Sequence, residues 1–287
     1  MERVSSRQNA VVKRFRELAR ASRSAAPIGR GVPHGAGGHA GEILLDGEHL
    51  VAEALACDVP VELAAFSDRQ LGDAQAPLHR LADDVQARGG RAILVSDQVL
   101  AAISPVEHPS GVVAIARARA TDVGVVFAAA VGAGSQLPLV VVLAGLQDPG
   151  NVGAIVRAAA AFGAAGVAAI DGTANPFGWK ALRGAMGGTF RLPVAARGSA
   201  ADVIAAAGDR RVRLVAAVPR GGTPLPRLDF RQPTALVLGA EGAGVSGAMV
   251  SAAHESVTIP MRAPVESLNV AVAAALLLYE ASRQYEP

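Results

Sequence analysis

A stretch of small apolar residues, 147–167, carries a single charged side chain after Asp148. It runs QDPGNVGAIVRAAAAFGAAGV, and Arg157 is the only charged residue between Asp148 and Asp171. A guanidinium in such surroundings either pairs with a carboxylate that is buried with it or points outward at an anionic substrate group. The sequence leaves both uses of Arg157 open, and Asp148 and Asp171 are the candidate carboxylates for the first use.

A second loop combines glycines with one carboxylate. In LVLGAEGAGVS, residues 236–246, a predicted strand ends at Leu238, and three glycines follow around Glu241. Glycine lets a backbone come close to a ligand or to another chain segment. The alternative is an ordinary glycine-rich turn with a solvent-exposed glutamate.

A third loop joins a predicted strand, which ends at Ile259-Pro260, to a predicted C-terminal helix. The helix is expected to begin near Ser267 or Leu268, with Ser267 as a plausible N-cap and Asn269 in the first turn. Taken alone, this segment is also consistent with an ordinary capped, buried helix.

The elements that must position these loops form a repeated strand, loop and helix pattern from Leu139 onward. Short apolar runs without alternation are typical of parallel strands that are covered on both faces. Open sheets of this kind bind ligands at the carboxyl ends of their strands, where these loops lie. The predicted strands are Leu139–Leu143, Val167–Ile170, Leu214–Val218, Ala235–Leu238 and Ser256–Ile259, followed by a helix at Leu268–Arg283.

The N-terminal part of the chain predicts a separate, smaller α/β unit. Helical spacing of apolar residues indicates a basic helix over 4–20, and a Gly/Pro-rich stretch follows at 27–41. We therefore divide the chain into four predicted parts. These are a basic arm with its loop (1–40), a small α/β domain (41–117), a linker in which VGVVFAAAV could add a short helix or strand (118–137), and the larger α/β domain (138–287).

Composition restricts the classes of protein that fit. The single cysteine, Cys57, excludes an intrachain disulfide and a Cys-based zinc site, and the six histidines are scattered, so we expect no metal site. The N-terminus lacks the apolar segment of a signal peptide, and glycines, polar residues and a proline interrupt the longest apolar stretch, 123–146. These features predict a soluble, cytoplasmic protein.

Charge is concentrated at the N-terminus. Residues 1–40 hold eight Lys/Arg and two Glu, a local charge of +6 in a chain whose net charge is +2. A basic segment of this kind favours a polyanionic partner such as nucleic acid. A solvated basic tail without a partner is the alternative.

Taken in order, the three loops closely resemble those of the SpoU/TrmH family of RNA ribose 2′-O-methyltransferases, in the SPOUT superfamily. The shared pattern is Asn-x-Gly-x-x-x-Arg, then Gly-x-Glu-x-x-Gly, then Ile-Pro followed by Glu-Ser-Leu-Asn-Val-x-Val-Ala. LRGAMGGTFRLPV (182–194) is similar to the segment between the family's first two loops. ILLDGEHLVAEAL and ISPVEHPSGVVAIA resemble its small L30e-like substrate-binding domain. Ala271 departs from the family, which often has serine there.

The resemblance implies a fold and a reaction. The expected fold is a C-terminal parallel-sheet domain with a trefoil knot, preceded by the L30e-like domain. The expected reaction is methyl transfer from S-adenosylmethionine (AdoMet) to a ribose 2′-hydroxyl of RNA, and the two-domain layout, which resembles that of rRNA-modifying members, favours ribosomal RNA over transfer RNA. Family members dimerise through the knotted domain, often with residues of both subunits at each site, so a homodimer is expected here too.

The resemblance also assigns residues. By match, backbone groups near Gly239, Ile259 and Leu268 hold the cofactor, and Ala217 lines the same pocket. Arg157 stabilises the developing alkoxide and an adjacent phosphate, because an arginine does not readily give up its own proton. Asn151 orients Arg157 or the nucleotide, Glu241 pairs with or positions such groups, and Ser267 and Asn269 close the site.

Two other classes of function stay open on sequence alone. A nicotinamide-dependent oxidoreductase would fit the strand and glycine loop near 139–153, but the G-x-G-x-x-G pattern is absent there. A non-catalytic RNA-binding protein would need the basic segment and the small domain only. Such a binder has no need of Asn151, Arg157, Glu241 and Asn269 together.

Overall fold

Two α/β units follow one another in the computed structural model, which describes residues 1–23, 41–72, 76–132 and 137–285. The first unit holds a five-stranded sheet in the order β1-β4-β3-β5-β2, in which β5 runs antiparallel to both of its neighbours. Its elements are β1 (Glu2–Val4), α1 (Ala10–Arg23), β2 (Glu42–Asp46), α2 (Glu48–Ala56), β3 (Val61–Ser67), α3 (Pro77–Ala87), β4 (Arg91–Val95), α4 (Asp97–Ile103) and β5 (Val112–Arg117).

The N-terminal segment belongs to this first unit. Residues Glu2–Val4 pair with β4 as an edge strand, and α1 buries Val12, Phe15 and Leu18 in the same core as α4. The predicted helix over 4–20 was therefore wrong at its start, because Val4 lies in a strand and the helix begins only at Ala10. Apart from Gly41, the Gly/Pro-rich stretch predicted at 27–41 lies outside the described residues.

The second unit contains a seven-stranded sheet in the order β10-β12-β9-β11-β6-β7-β8, and every strand pair in it is parallel. This confirms the parallel sheet predicted from the apolar runs. Its elements are α5 (Val123–Val131), β6 (Leu137–Ala144), α6 (Pro149–Ala161), β7 (Ala164–Ile170), α7 (Trp179–Ala185), β8 (Val194–Ala195), α8 (Ala200–Arg210), β9 (Arg213–Ala217), β10 (Thr223–Pro224), β11 (Thr234–Gly239), α9 (Gly247–Ala252), β12 (Glu255–Thr258) and α10 (Val270–Tyr285).

Helices cover both faces of this sheet, as its apolar strands require. In β6, Leu139 and Val141 pack into the core shared with α6 and α10, while Val140 and Val142 face α5 and α8. The helix α5 falls in the segment predicted as a linker, in which VGVVFAAAV was given as a possible short helix or strand. Its buried side packs on β7 and α8, so it contributes to the core of the second unit.

Close helix packing explains why α6 is built of small residues. A Cβ added at Gly153 would lie 2.3 Å from the carbonyl oxygen of Ala181, because α6 and α7 approach closely there. In turn, Leu182 of α7 inserts into the apolar core of the first unit, and Arg191 binds Glu53 of α2 at 2.6 Å. The segment 182–194 therefore joins the two units while supporting α6.

Within the described ranges, none of the helices is both long enough and apolar enough to cross a membrane. The same part of the chain contains no group of three or more His, Cys, Asp or Glu side chains placed to hold a metal ion.

Candidate active site

A cavity of about 480 Å³ lies at the carboxyl ends of β9, β11 and β12. These three strands are direct neighbours in the sheet, so the loops that follow them converge on one place. The volume falls within the range of pockets that bind small molecules and cofactors. Its lining comprises 217–219, 238–242, Gly244, Val257, Ile259, Met261, 267–270, Ala273 and Leu277.

All four residues predicted to hold the cofactor line this cavity: Ala217, Gly239, Ile259 and Leu268. Glycine is required at 239, since a Cβ there would lie 2.1 Å from the backbone of Gly244 and Val245. The loop after β11 folds back at this point, and the Gly244 N–H donates to the Ala240 carbonyl oxygen at 2.8 Å. The cavity wall is therefore built from closely approaching backbone segments.

Sequence reasoning missed part of the lining. Val270, Ala273 and Leu277 of α10 form the cavity's helical wall, and their spacing of three and four residues places them on one helix face. That spacing was a signal that could have found them. Val218, Pro219 and Met261 were missed as well, although each lies next to or near a predicted lining position.

Three polar side chains from three separate parts of the chain form a hydrogen-bonded chain beside the cavity. The Asn151 amide nitrogen donates to the Glu241 carboxylate, and the Asn269 amide nitrogen donates to Asn151 Oδ1 at 3.2 Å. Glu241 and Asn269 line the cavity, and Asn151 lies between them on α6. The structure thus brings together three of the five predicted catalytic residues.

Asn269 also caps α10, which corrects the cap predicted at Ser267. The helix begins at Val270, and Asn269 Oδ1 accepts hydrogen bonds from the backbone N–H groups of Ala271 at 2.9 Å and Val272 at 3.3 Å. Ser267 lies two residues before this cap, in an exposed part of the loop that lines the cavity. An asparagine serves this position well, because its side-chain oxygen caps the helix while its amide nitrogen stays available.

An ordinary cap at Asp148 leaves Asn151 free for the site. Pro149 is the first residue of α6, and the Gly150 N–H donates to Asp148 Oδ1 at 2.8 Å. This backbone hydrogen bond, together with Lys180 at 3.3 Å, holds the pKa of Asp148 below its usual value. The cap therefore stays ionised at neutral pH, and Asn151 in the first turn is not needed to terminate the helix.

Arg157 lies apart from this chain of hydrogen bonds. It is exposed on the outer side of α6, where its neighbours on the same face are Ala154 and Ala161. In the described part of the chain, it has no hydrogen-bond or ion-pair partner, and it does not line the cavity. The alternative of a buried arginine paired with Asp148 or Asp171 is therefore wrong.

Two family models match the chain. Residues 138–279 match the SpoU rRNA Methylase family, and residues 38–114 match the MRM3-like substrate binding domain. The first range contains the cavity and all of the candidate site residues.

Similar proteins span nearly the whole chain. An uncharacterised tRNA/rRNA methyltransferase of Synechocystis is 33% identical over 98% of this chain and 93% of its own length. The 23S rRNA (guanosine(2553)-2′-O)-methyltransferase of Bacillus subtilis is 31% identical over 82% of this chain and 86% of its own length. The crystal structure of an AdoMet-bound rRNA methyltransferase from Sinorhizobium meliloti superposes with a TM-score of 0.78 at 26% identity, over 98% of this chain and 97% of that one.

Proposed function

Because the chain belongs to the SpoU family of rRNA methylases, as its three loops predicted, we propose that it methylates ribose 2′-hydroxyl groups of ribosomal RNA with AdoMet as the donor. The observation that carries this proposal is the cavity at the ends of β9, β11 and β12, beside the linked side chains of Asn151, Glu241 and Asn269. An oxidoreductase or a purely structural RNA binder has no use for this combination.

The cavity suits AdoMet in size and chemistry. Most of its lining residues are apolar or glycine, and the polar side chains among them are those of Glu241, Ser267 and Asn269. When bound, AdoMet supplies a methyl group that is already activated by its sulfonium. The protein then mainly has to position the ribose and stabilise negative charge on its oxygen.

Arg157 supplies that stabilisation in this proposal. Its guanidinium is exposed and has no partner within the described residues, so it is available to an incoming phosphate and ribose oxygen. A planar guanidinium fork binds two such oxygens at once. Ser267 and Asn269, on the loop that precedes α10, close the site around the bound groups.

The proposal is tested by mapping 2′-O-methylation in ribosomal and transfer RNA from a deletion strain and its parent. We expect one ribosomal position to lose its methyl group, and the wild-type gene but not an Arg157→Ala gene to restore it. If only transfer RNA loses a methyl group, the substrate is transfer RNA and not ribosomal RNA. If the methylation map is unchanged, the proposed function is contradicted. With ribosomal RNA as the substrate, we also propose that the reaction takes place in the cytoplasm.

We further propose that the protein is a homodimer that pairs through α10. Val272, Leu276 and Tyr279 leave an apolar stripe exposed on this helix, and Tyr279 is 56% exposed. The helix runs alongside α6, as the contacts Asn269 to Asn151 and Tyr279 to Phe162 indicate. The trefoil knot and the L30e relation of the first domain stay predictions of the family resemblance, and the domain boundaries stay predictions of the sequence pattern.

Leu276→Asp is expected to convert the dimer to single chains of 29.0 kDa, because it places a charge in an apolar interface. Sedimentation velocity measures the mass. Ile204→Asp on α8 is the matched control, since Ile204 is comparably exposed on the opposite face of the sheet and should leave the dimer intact. A wild-type protein that sediments as a monomer would refute the dimer.

The basic face of α1 is expected to bind RNA backbone. Lys13 and Arg20 are exposed, whereas Arg14 is engaged by Glu42 and Glu62. The double variant Lys13→Glu/Arg20→Glu should weaken RNA binding and reduce the slope of log K against log salt by roughly 1–2, with AdoMet affinity unchanged. Arg88→Glu, on the opposite face of the first sheet, is the control. An unchanged salt slope would show that this face is only solvated.

A further inference from the structure

Glu241 is the only titratable side chain among the described residues that line the cavity. We propose that the Glu241 carboxylate accepts the proton of the ribose 2′-hydroxyl during methyl transfer, which makes it a catalytic residue in addition to Arg157. This inference rests on the proposed function, because it assigns the proton in that same reaction.

The donors and acceptors along the hydrogen-bonded chain are determined, and they make Glu241 an acceptor. Asn269 Oδ1 is occupied by the backbone N–H groups of Ala271 and Val272, so its amide nitrogen must face Asn151. Asn151 Oδ1 accepts that bond, and its own amide nitrogen consequently faces Glu241 Oε1. The carboxylate is thus the terminal acceptor of an oriented chain, and one of its oxygens is held in place at the cavity.

Arg157 is unsuited to take the proton. A guanidinium already carries its proton at neutral pH, and it has no acceptor atom. In this proposal the Arg157 guanidinium stabilises the negative charge on the 2′-oxygen, and the Glu241 carboxylate receives its proton.

A carboxylate is a sufficient base for this step. As the ribose 2′-oxygen bonds to the methyl carbon, the bond between that carbon and sulfur breaks and its electron pair stays on sulfur. The 2′-oxygen becomes more acidic as this bond forms, so its proton passes to a Glu241 oxygen without a strong base. The carboxylic acid then returns the proton to water, and the products are the 2′-O-methyl ribose and neutral S-adenosylhomocysteine.

Glu241→Gln separates proton acceptance from positioning. Glutamine keeps a side-chain oxygen that accepts from Asn151 but cannot take up a proton. We expect single-turnover methyl transfer to fall about 10²–10⁴-fold, the range that general acid–base catalysis contributes. We also expect S-adenosylhomocysteine affinity by calorimetry, RNA affinity and the melting temperature to be unchanged. The control is Glu266→Gln, a carboxylate on the neighbouring loop that binds Arg220 at 2.9 Å and lies outside the cavity lining.

A second variant keeps the proposal falsifiable if glutamine disturbs the loop. Glu241→Ala removes the carboxylate. Added formate should raise the methyl-transfer rate of this variant at least tenfold, because formate accepts the proton in place of Glu241. The inference is overturned if Glu241→Gln transfers methyl groups within about threefold of wild type, or if formate restores nothing to Glu241→Ala. A wild-type protein that transfers no methyl group would instead contradict the proposed function itself.

Discussion

Arg157→Ala is expected to slow single-turnover methyl transfer about 10²–10³-fold, which is the typical cost of losing one donor that stabilises a transition-state oxyanion. AdoMet affinity should be unchanged, because Arg157 does not line the cavity. The melting temperature should also be unchanged, because this exposed side chain has no partner within the described residues. Substitutions at such surface positions usually change the free energy of unfolding by less than about 0.5 kcal/mol. Single-turnover kinetics at saturating RNA, calorimetry and thermal melts measure the three quantities.

Two further variants sharpen this test. Arg157→Lys should recover little of the rate, because an ammonium cannot reproduce the planar fork that spans a ribose oxygen and a phosphate. Arg210→Ala on α8 should behave as wild type, since it removes an arginine from the opposite face of the same sheet. An Arg157→Ala protein that keeps its rate but melts far below wild type would show a structural arginine and refute the assignment.

Gly239→Ala is expected to reduce AdoMet affinity by at least tenfold. The new Cβ would lie 2.1 Å from the backbone of Gly244 and Val245, and backbone cannot move aside as a flexible side chain would. The loop after β11 must shift, which deforms the cavity wall. Overpacking of a close contact usually lowers the free energy of unfolding by about 1–3 kcal/mol. Isothermal calorimetry with AdoMet measures the affinity directly.

Gly247→Ala is the matched control for Gly239→Ala. Gly247 lies eight positions further along the same segment, at the start of α9, and a Cβ added there meets no atom within 4 Å. Alanine is also the better helix former, so this variant should bind AdoMet normally and melt at or slightly above the wild-type temperature. Equal affinity for both variants would show that the loop does not form the cofactor pocket.

The strands and the loops that carry the site could be predicted because both depend on local sequence. Unbroken apolar runs such as Val140–Leu143 are required where helices cover both faces of a parallel strand, and the structure confirms that arrangement. Gly239 was assigned to the cofactor pocket by the family resemblance, and the structure shows why glycine is needed there, since a Cβ would meet the returning backbone. These features leave a mark on the residue types themselves.

Contacts between distant residues left no such mark. Asn151 and Glu241 are 90 residues apart, and Asn151 and Asn269 are 118 apart, so only the folded sheet brings them together. The cap of α10 was misplaced because Ser267 and Asn269 are both good capping residues, and the choice depends on where the loop leaves the cavity. The strand Glu2–Val4 was missed because three residues are too few to show the alternating pattern of a strand. It forms as an edge strand through its pairing with β4.

The most direct test of the central claim is to incubate the protein with ribosomal RNA and AdoMet that carries a labelled methyl group. The RNA is then digested to nucleosides, and the position of the label is determined by mass spectrometry. The proposed function predicts label on a ribose 2′-oxygen of a single nucleotide, and almost none with Arg157→Ala. Label on a base, or no transfer to ribosomal RNA by the wild-type protein, would contradict it.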